Sequence, residues 1–507
     1  MYPEFNLLYK NPPKFSPSNE MDMSAKSLLL DEMIMGVTVD IILQKKIFNL
    51  LKYPEQDLEN IIHRREIIKD FNNNPSLLHE FELLKEKNDV IKDAIKIVKT
   101  STASIITTTG GRTEKSDRES SIFTVQTIAD CIVKTLEMYI AYDKTFGRAT
   151  VKSELLVSMR DFIKKQISNP AFNELMDIAK NLAEAPNASS SYVILAKLDK
   201  YIRISDCEMF DITSDPYHYE KGSIPVEDKQ KDLEYIGFDV DSDQQLQFFA
   251  ERSMIKLTEF MESIVIQLKA PFDKVEEGFY FYRFADLLYR MYERLGLPSC
   301  LPEYSENENR FECTDIYDLW FCLKQYRQDK TKKPGDTLTP NDAIIPKDCA
   351  AYIVTGKNNA GKTVFLRAVG LIQILAQAGL PVPCKSALIT PVCNLFAYFT
   401  ALDIGQGRFE EEVETLSNYL DLMKPNDMLL FNEVYQSTSY DEASIALSEF
   451  IGAAAFYGAR VISVTHLPDM KKNLDIVKDK IGFKGMVKYM KTEEKDGNST
   501  YKFIEDK

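Results

Sequence analysis

A short polar segment in the C-terminal half has the residue types and spacing of a phosphate-binding loop. The stretch AAYIVTGKNNAGKTVFLRAVGLIQIL, residues 350–375, runs from a β-type apolar segment into an amphipathic helical pattern. Between the two lies the pattern GxxxxGK[ST], in its required context of strand before and helix after. Its eight residues are Gly356, Lys357, Asn358, Asn359, Ala360, Gly361, Lys362 and Thr363.

This pattern suits a nucleotide because each residue type has a role there. The glycines let successive backbone N–H groups point at a phosphate, and the start of the helix adds a favourable dipole. We expect Lys362 to reach the terminal phosphate oxygens and Thr363 to offer its hydroxyl to Mg²⁺. A glycine-rich surface turn with an exposed lysine is the alternative interpretation, and the flanking pattern disfavours it.

A second segment, DMLLFNEV (427–434), ends an apolar run in two polar residues. A short, fully apolar strand is typical of a parallel sheet buried on both faces. Glu433 is the candidate to activate or orient water, and Asn432 stands where a metal shell is expected. An amide accepts hydrogen bonds but lacks a carboxylate's charge. We therefore expect weaker Mg²⁺ affinity and slower hydrolysis, with nucleotide binding retained.

A third segment, RVISVTHLPDM (460–470), is a β-type run followed by Thr465 and His466. A histidine at a strand end near a phosphate loop is a candidate sensor of the terminal phosphate. A single histidine is more often structural. The order of the three segments along the chain favours the sensor.

Composition limits the class of protein. At 507 residues the chain has room for two to four domains. Its net charge of −15 gives no support to nucleic-acid binding through bulk charge, although local basic patches are compatible with it. No apolar stretch approaches the roughly 18 residues of a membrane span, and the N-terminal segment lacks a signal-peptide layout. The eight cysteines form no CxxC pattern, which indicates a reducing cytoplasm.

The pattern of the chain changes near residue 330. Residues 22 to about 180 and 244–295 have helical periodicity, and alternation at 191–212 indicates a small β element within about 190–240. The aromatic residues of the second helical run are expected in a core: Phe248, Phe249, Phe260, Phe281 and Phe284. From about 335, short β runs alternate with helices. We expect two parts: 1–330, mainly helical, and 335–507, an α/β domain.

The order and residue patterns of these segments resemble the ATPase domain of the MutS family of DNA mismatch-repair and related proteins. The matching segments are Pro340-Asn341-Asp342, TGKNNAGKT, LAQAG (375–379), NEVYQSTSYDEA (432–443) and Thr465-His466. The resemblance implies an ABC-type, MutS-like P-loop NTPase fold for 335–507, and levers beginning at DLENIIHRREIIKDF. It also implies Mg²⁺-ATP, a homodimer with composite ATP sites, and DNA as a partner.

Several departures from the family pattern matter. About 330 residues precede the ATPase segment, which leaves no room for the mismatch-reading and connector domains beside the levers. The sequence also stops at a hairpin, without the family's later helices, so dimerisation is expected to depend more on ATP. In GQGRFEEEVETL (405–416) the family's signature serine is replaced near Gly407, with Arg408 beside it.

Arg408 therefore has two interpretations. It could act in trans on the partner's γ-phosphate as an arginine finger. Equally, it could be a surface arginine paired with Glu410, Glu411 or Glu412.

The leading hypothesis for function is a MutS-like ATPase whose helical levers move on DNA. An ATP-gated interaction module with slow or no hydrolysis, acting on a protein or ribonucleoprotein, is the alternative that Asn432 supports and Glu433 opposes. A third interpretation, a dimeric P-loop ATPase that tethers chromosomes with coiled-coil arms, lacks an LSGGQ-like segment and heptads.

Overall fold

The computed structural model of the chain describes its backbone in ten segments: 3–14, 17–107, 114–184, 191–198, 204–212, 243–305, 309–399, 408–435, 438–496 and 498–506. Within these segments, the structure describes the side chains of all residues except 99–107, 114–122, 191–212, 243–255 and 408–409.

The α-helices of the described residues, in chain order, are α1 (Asn19–Ser27), α2 (Leu30–Val37), α3 (Ile41–Leu51), α4 (Leu58–Asn73), α5 (Pro75–Thr107), α6 (Glu114–Arg148), α7 (Glu154–Ile167), α8 (Pro170–Ala183), α9 (Asp243–Lys269), α10 (Asp273–Leu295), α11 (Leu319–Gln328), α12 (Pro334–Thr337), α13 (Lys362–Gln377), α14 (Arg408–Leu422), α15 (Tyr440–Phe456) and α16 (Met470–Ile481). A 3₁₀ turn, Ala270–Phe272, separates α9 from α10.

The strands of the described residues are β1 (Ser191–Leu198), β2 (Ile204–Ile212), β3 (Glu303–Tyr304), β4 (Phe311–Ile316), β5 (Asn341–Ile345), β6 (Cys349–Thr355), β7 (Ser386–Ile389), β8 (Leu395–Phe399), β9 (Met428–Asn432), β10 (Arg460–Val464), β11 (Met486–Lys495) and β12 (Asn498–Glu505).

The chain forms two compact units, of which the first comprises residues 1–3, 81–148 and 160–271. Helix α6 packs against α8 and α9 in this unit. The Tyr139 hydroxyl of α6 donates a hydrogen bond to the Leu268 carbonyl of α9 at 2.9 Å. Strands β1 and β2 pair antiparallel. In its described residues, the first unit is thus a set of packed helices with one antiparallel strand pair.

The second unit comprises residues 4–80, 149–159 and 272–507. Its larger sheet has the order β12-β11-β6-β10-β9-β8. The five strands from β11 to β8 run parallel, and β12 is antiparallel at one edge. A second sheet has the order β3-β7-β4-β5. Strands β9 and β10 are buried along their whole length, as expected of central parallel strands.

Helix α13 packs on β9 and β10, and α15 packs on β6 and β10. Every residue of α13 from Phe365 onward is buried, as is typical of a helix that is apolar on nearly all sides. A Cβ added at Gly370 would lie 2.6 Å from a Leu28 methyl carbon and 2.7 Å from a Leu430 methyl carbon. The glycine therefore allows α13 to approach β9 closely.

Residues near the N-terminus pack within this same unit. The Ser24 hydroxyl of α1 accepts a hydrogen bond from the Ala397 N–H of β8 at 3.0 Å. The Gln377 side-chain amide, at the end of α13, donates to the Glu55 carbonyl at 2.8 Å. These contacts attach the first helices to the C-terminal sheet.

The predicted helical N-terminal region followed by an α/β region is confirmed, and the sheets of that region are mixed. Of the aromatics expected in a core, Phe281 and Phe284 are buried, whereas that prediction is wrong for Phe260, which is 52% exposed. The side chains of Phe248 and Phe249 lie outside the described residues. In the described part of the chain, every helix is too short or too polar to cross a membrane.

Candidate functional site

The three predicted polar segments meet at one edge of the large sheet. Strand β10 pairs parallel with both β6 and β9, with Val464 opposite Val354 on one side and Asn432 on the other. Because the strands are parallel, their carboxyl ends lie at the same edge, where ligands bind in open α/β sheets. The segments that follow β6, β9 and β10 therefore lie side by side.

The loop from Gly356 to Gly361 needs backbone conformations that few residues adopt. Gly356 has φ of 146°, Gly361 has φ of 88°, and Asn359 has φ of 64°. A Cβ added at Gly356 would lie 2.2 Å from the Thr492 hydroxyl oxygen of β11. Gly361 directly precedes α13 and is its N-cap residue. Lys357 and both asparagines are exposed, so the loop is accessible from solvent.

The Lys362 side chain turns back over this loop. Its Nζ donates hydrogen bonds to the carbonyls of Gly356 at 2.8 Å and Lys357 at 2.9 Å. The Glu433 carboxylate lies 3.7 Å from the same Nζ, and the lysine side chain is 4% exposed. Burial lowers the pKa of Lys362, and Glu433 opposes that shift.

The Thr363 hydroxyl donates a hydrogen bond to the Asn432 side-chain oxygen at 2.8 Å. Thr363 is the second residue of α13, and Asn432 is the last residue of β9. A hydroxyl and an amide oxygen thus meet where α13 begins and β9 ends. Magnesium prefers oxygen ligands, completed by water and phosphate, so these two residues fit an Mg²⁺ ion.

Glu433 occupies a strained turn directly after β9. Its φ is 54°, and its N–H donates to the Val464 carbonyl of β10 at 2.9 Å. A non-glycine residue with this φ is uncommon, and such strain clusters at functional sites. The Glu433 carboxylate lies 3.8 Å from Nδ1 of His466. The His466 ring meets the Tyr440 ring edge-on, with centroids 5.7 Å apart.

The structure therefore brings Lys362, Thr363, Asn432, Glu433 and His466 together within the second unit. Arg408 is the first residue of α14, but its side chain lies outside the described residues, as does Gly407. The roles assigned to all of these residues remain predictions.

Sequence reasoning missed one buried carboxylate beside this site. Glu412 was considered only as a possible surface partner of Arg408, yet it is fully buried, and it accepts a hydrogen bond from the Tyr435 N–H at 2.7 Å. The spacing of Glu412, Leu416 and Tyr419 places all three on one helical face, and all three are buried. This helical spacing is the sequence feature that predicts burial of Glu412 together with Leu416 and Tyr419.

The LAQAG segment, in contrast, has a packing role in this structure. Gln377 bonds to the carbonyls of Glu55 and Val392, and its oxygen accepts the Val392 N–H. Gly379 has φ of 80°, and a Cβ there would lie 2.8 Å from the Ile61 carbonyl oxygen. The segment joins the end of α13 to the N-terminal helices.

Fold and site together define an α/β domain with a glycine-rich turn, a lysine and a carboxylate at the carboxyl edge of a parallel sheet. Residues 352–503 match the family model MutS domain V. A DNA mismatch repair protein MutS of Salinibacter ruber is 37% identical over 154 residues, covering 29% of this chain and 17% of that protein.

Two further relatives match the same part of the chain. An endonuclease MutS2 of Bacillus cytotoxicus is 32% identical over 145 residues, covering 26% of this chain and 18% of that protein. A DNA mismatch repair protein MutS of Caldicellulosiruptor saccharolyticus is 35% identical over 152 residues, covering 28% of this chain and 18% of that protein. Residues 352–503 are thus similar to the MutS domain V of these proteins, and the match spans less than a fifth of these relatives' length.

Proposed function

We propose that residues 335–507 form a P-loop ATPase domain that binds and hydrolyses ATP, and that residues 1–330 supply a helical core and levers. The observation that carries this proposal is the meeting of Lys362, Glu433 and the Gly356–Gly361 turn, with Glu433 3.7 Å from the lysine Nζ. ATPase activity is a general property of the MutS family, which supports the assignment.

In the proposed site, backbone N–H groups of the turn and the first residues of α13 bind the β-phosphate. Lys362 exchanges its two carbonyl acceptors for phosphate oxygens, and Thr363 and Asn432 hold the Mg²⁺ shell. When bound, Mg²⁺ supplies positive charge that neutralises the developing charge on the phosphate oxygens.

Glu433 orients a water molecule for attack on the γ-phosphorus. The bond from that phosphorus to the bridging oxygen breaks, which releases ADP and phosphate. Glu433 lies near both Lys362 and His466. His466 is therefore well placed to exchange a contact with Glu433 for one with the γ-phosphate, which is how a sensor residue would respond to ATP.

The proposed assembly is a homodimer with composite ATP sites, in which Arg408 acts on the partner's γ-phosphate. The proposed partner of the levers is DNA, on the basis of the similarity to MutS proteins. Mismatch reading is not part of the proposal.

A second candidate function is an ATP-gated interaction module in which hydrolysis is slow or absent. Asn432 favours it, because an amide at the metal shell lacks the charge that a carboxylate would place beside a dication. The module would act through nucleotide-dependent dimer shape on a protein or ribonucleoprotein partner.

The deciding measurement is steady-state ATP turnover by the full chain, with duplex DNA, branched DNA, RNA or no nucleic acid. Glu433→Gln should remove turnover and keep ATP binding, whereas Lys362→Ala should weaken binding itself. The exposed Glu449→Gln on α15 is the matched control. Tight ATP binding without turnover under every condition would replace the ATPase proposal with the gated module.

The role of Arg408 is tested by mixing two variants. If Arg408→Ala and Glu433→Gln are each inactive alone, a mixed dimer should regain one intact composite site. Recovered turnover therefore requires Arg408 to act in trans. Absence of recovery in a mixture shown to form mixed dimers, or full activity of Arg408→Ala alone, contradicts that role.

A further inference from the structure

Glu412 is a carboxylate where the pattern of α14 calls for an apolar side chain. The helix turns Leu416 and Tyr419 inward, and the Tyr419 hydroxyl donates to the Ala397 carbonyl of β8 at 3.2 Å. Glu412 lies on the same face and is fully buried. Burying a carboxylate is costly unless hydrogen bonds compensate for the lost water. A buried acid at such a position therefore needs a specific partner.

One partner is the backbone of the turn that carries Glu433. The Tyr435 N–H donates to Oε2 of Glu412 at 2.7 Å, and Tyr435 has φ of 63°. Glu433, two residues earlier, has φ of 54° and is bonded through its own N–H to Val464. Two non-glycine residues with positive φ in one short turn require the surroundings to hold them.

The turn is thus held at two points: by β10 at Glu433 and by Glu412 at Tyr435. At the second point the acceptor is a side chain of α14, so the turn depends on a residue outside the strands of the sheet. Burial, with a further contribution from Glu412, raises the pKa of Tyr435 to about 12. The tyrosine side chain is therefore neutral and packed beside the carboxylate.

The geometry points to Glu412 as a positioning residue for hydrolysis: it holds the Glu433–Tyr435 turn so that the Glu433 carboxylate stays aimed at the site. This inference rests on the proposed ATPase function. The inference also connects the proposed role of Glu433 with that of Arg408. Helix α14 carries Glu412 and begins at Arg408, the residue proposed to act on the partner's nucleotide. A shift of α14 on dimer formation would move the turn through this hydrogen bond.

Two substitutions separate positioning from simple packing. Glu412→Leu fills nearly the same volume and removes the acceptor, whereas Glu412→Gln keeps a side-chain carbonyl acceptor. The exposed Glu414→Gln on the same helix is the matched control. Because misplacing a catalytic group by about 1 Å can cost about 100-fold in rate, we expect Glu412→Leu to lower kcat by about 10- to 100-fold.

In the same experiment the KM for ATP should change less than about threefold, because Lys362 and the glycine-rich turn are untouched. Glu412→Gln should recover most of the lost kcat, and Glu414→Gln should match the wild type. Hydrogen exchange at the Tyr435 amide should rise in Glu412→Leu, while the strands of the sheet keep their protection.

The outcomes distinguish the two proposals. Wild-type protein without turnover overturns the ATPase function, and the positioning role with it. Active wild type with an unchanged kcat in Glu412→Leu overturns the positioning role alone. Loss of protection throughout the sheet in Glu412→Leu, with no recovery of kcat in Glu412→Gln, assigns Glu412 to packing and also overturns it.

Discussion

The Thr363 hydroxyl donates to the side-chain oxygen of Asn432 across 2.8 Å, which joins the first turn of α13 to the end of β9. An amide oxygen accepts a hydrogen bond from this hydroxyl, so the contact forms without a charge on residue 432. What the amide lacks is the full negative charge that a carboxylate would place beside a dication. Asn432 is therefore expected to affect metal affinity more than structure.

Asn432→Asp should lower the Mg²⁺ concentration needed for half-maximal turnover. One added charge near a dication stabilises it by about 1 kcal/mol or more, equivalent to about fivefold to tenfold in affinity. The measurement is ATP turnover as a function of Mg²⁺ concentration. Asn418→Asp, an exposed position on α14, is the control for added charge. Unchanged Mg²⁺ dependence and turnover in Asn432→Asp would contradict this expectation.

The stability of the nucleotide-free protein should depend on pH through Lys362. Its folded-state pKa is lowered by burial, so the unfolded chain holds the proton to higher pH than the folded one. This destabilising contribution is complete below the folded-state pKa. It fades as pH rises through that pKa toward the unfolded value of 10.5.

Lys362→Met should therefore gain stability relative to wild type at pH 7.5, and that gain should shrink by pH 10. The measurement is urea unfolding of both proteins without nucleotide at the two pH values. Lys480→Met, at a lysine exposed on α16, is the control for the loss of a lysine side chain. A Lys362→Met difference that is constant with pH would be evidence against a lowered pKa.

Gly379→Ala should destabilise the second unit more than Gly482→Ala does. Both glycines have positive φ, 80° and 74°, so both substitutions carry a backbone cost of about 1–2 kcal/mol. Only at Gly379 would the new Cβ meet a backbone atom, the Ile61 carbonyl oxygen at 2.8 Å. Overpacking of this kind adds about 1–3 kcal/mol. Equal unfolding free energies for the two variants would argue against the close approach of α4 to α13.

Glu55→Gln should destabilise the protein by about 3 kcal/mol, since removing one partner of a buried ion pair leaves the other charge without compensation. Arg64 bonds to Glu55 at 2.9 Å, and the two side chains are 2% and 4% exposed. The control is Glu277→Gln, whose exposed pair with Lys274 is expected to contribute under about 0.5 kcal/mol. Urea unfolding measures the loss of unfolding free energy in each variant. Similar losses would show that the buried ion pair contributes no more to stability than the exposed one.

The strands and the glycine-rich turn of the site could be predicted from the sequence, because the residues that determine each of them lie within that segment. A run such as Met428–Phe431 is wholly apolar since both faces of a central parallel strand are covered. The glycines at 356 and 361 mark backbone conformations that other residues avoid. The family resemblance found on these segments is confirmed by the match over 352–503.

Spatial relationships across the chain needed the tertiary structure. Nothing local indicates that β10, the last of the three site strands in sequence, lies between β6 and β9. Strand order is set by pairing between distant segments, and so is the contact of Thr363 with Asn432. The same is true of residues 4–80, which fold in one compact unit with the C-terminal sheets.

Single residues on helices also show the difference between what the sequence predicts and what the tertiary structure decides. Helical spacing predicted a core role for Phe281 and Phe284 and was right, yet Phe260 in the same run is 52% exposed. Glu412 looked like one acid among several on a surface helix, and packing made it a buried acceptor for Tyr435. Sequence by itself determined which segments carry the chemistry, because backbone conformation and periodicity are local. The tertiary structure alone decided which side chains lose contact with water, because that depends on what the fold packs against them.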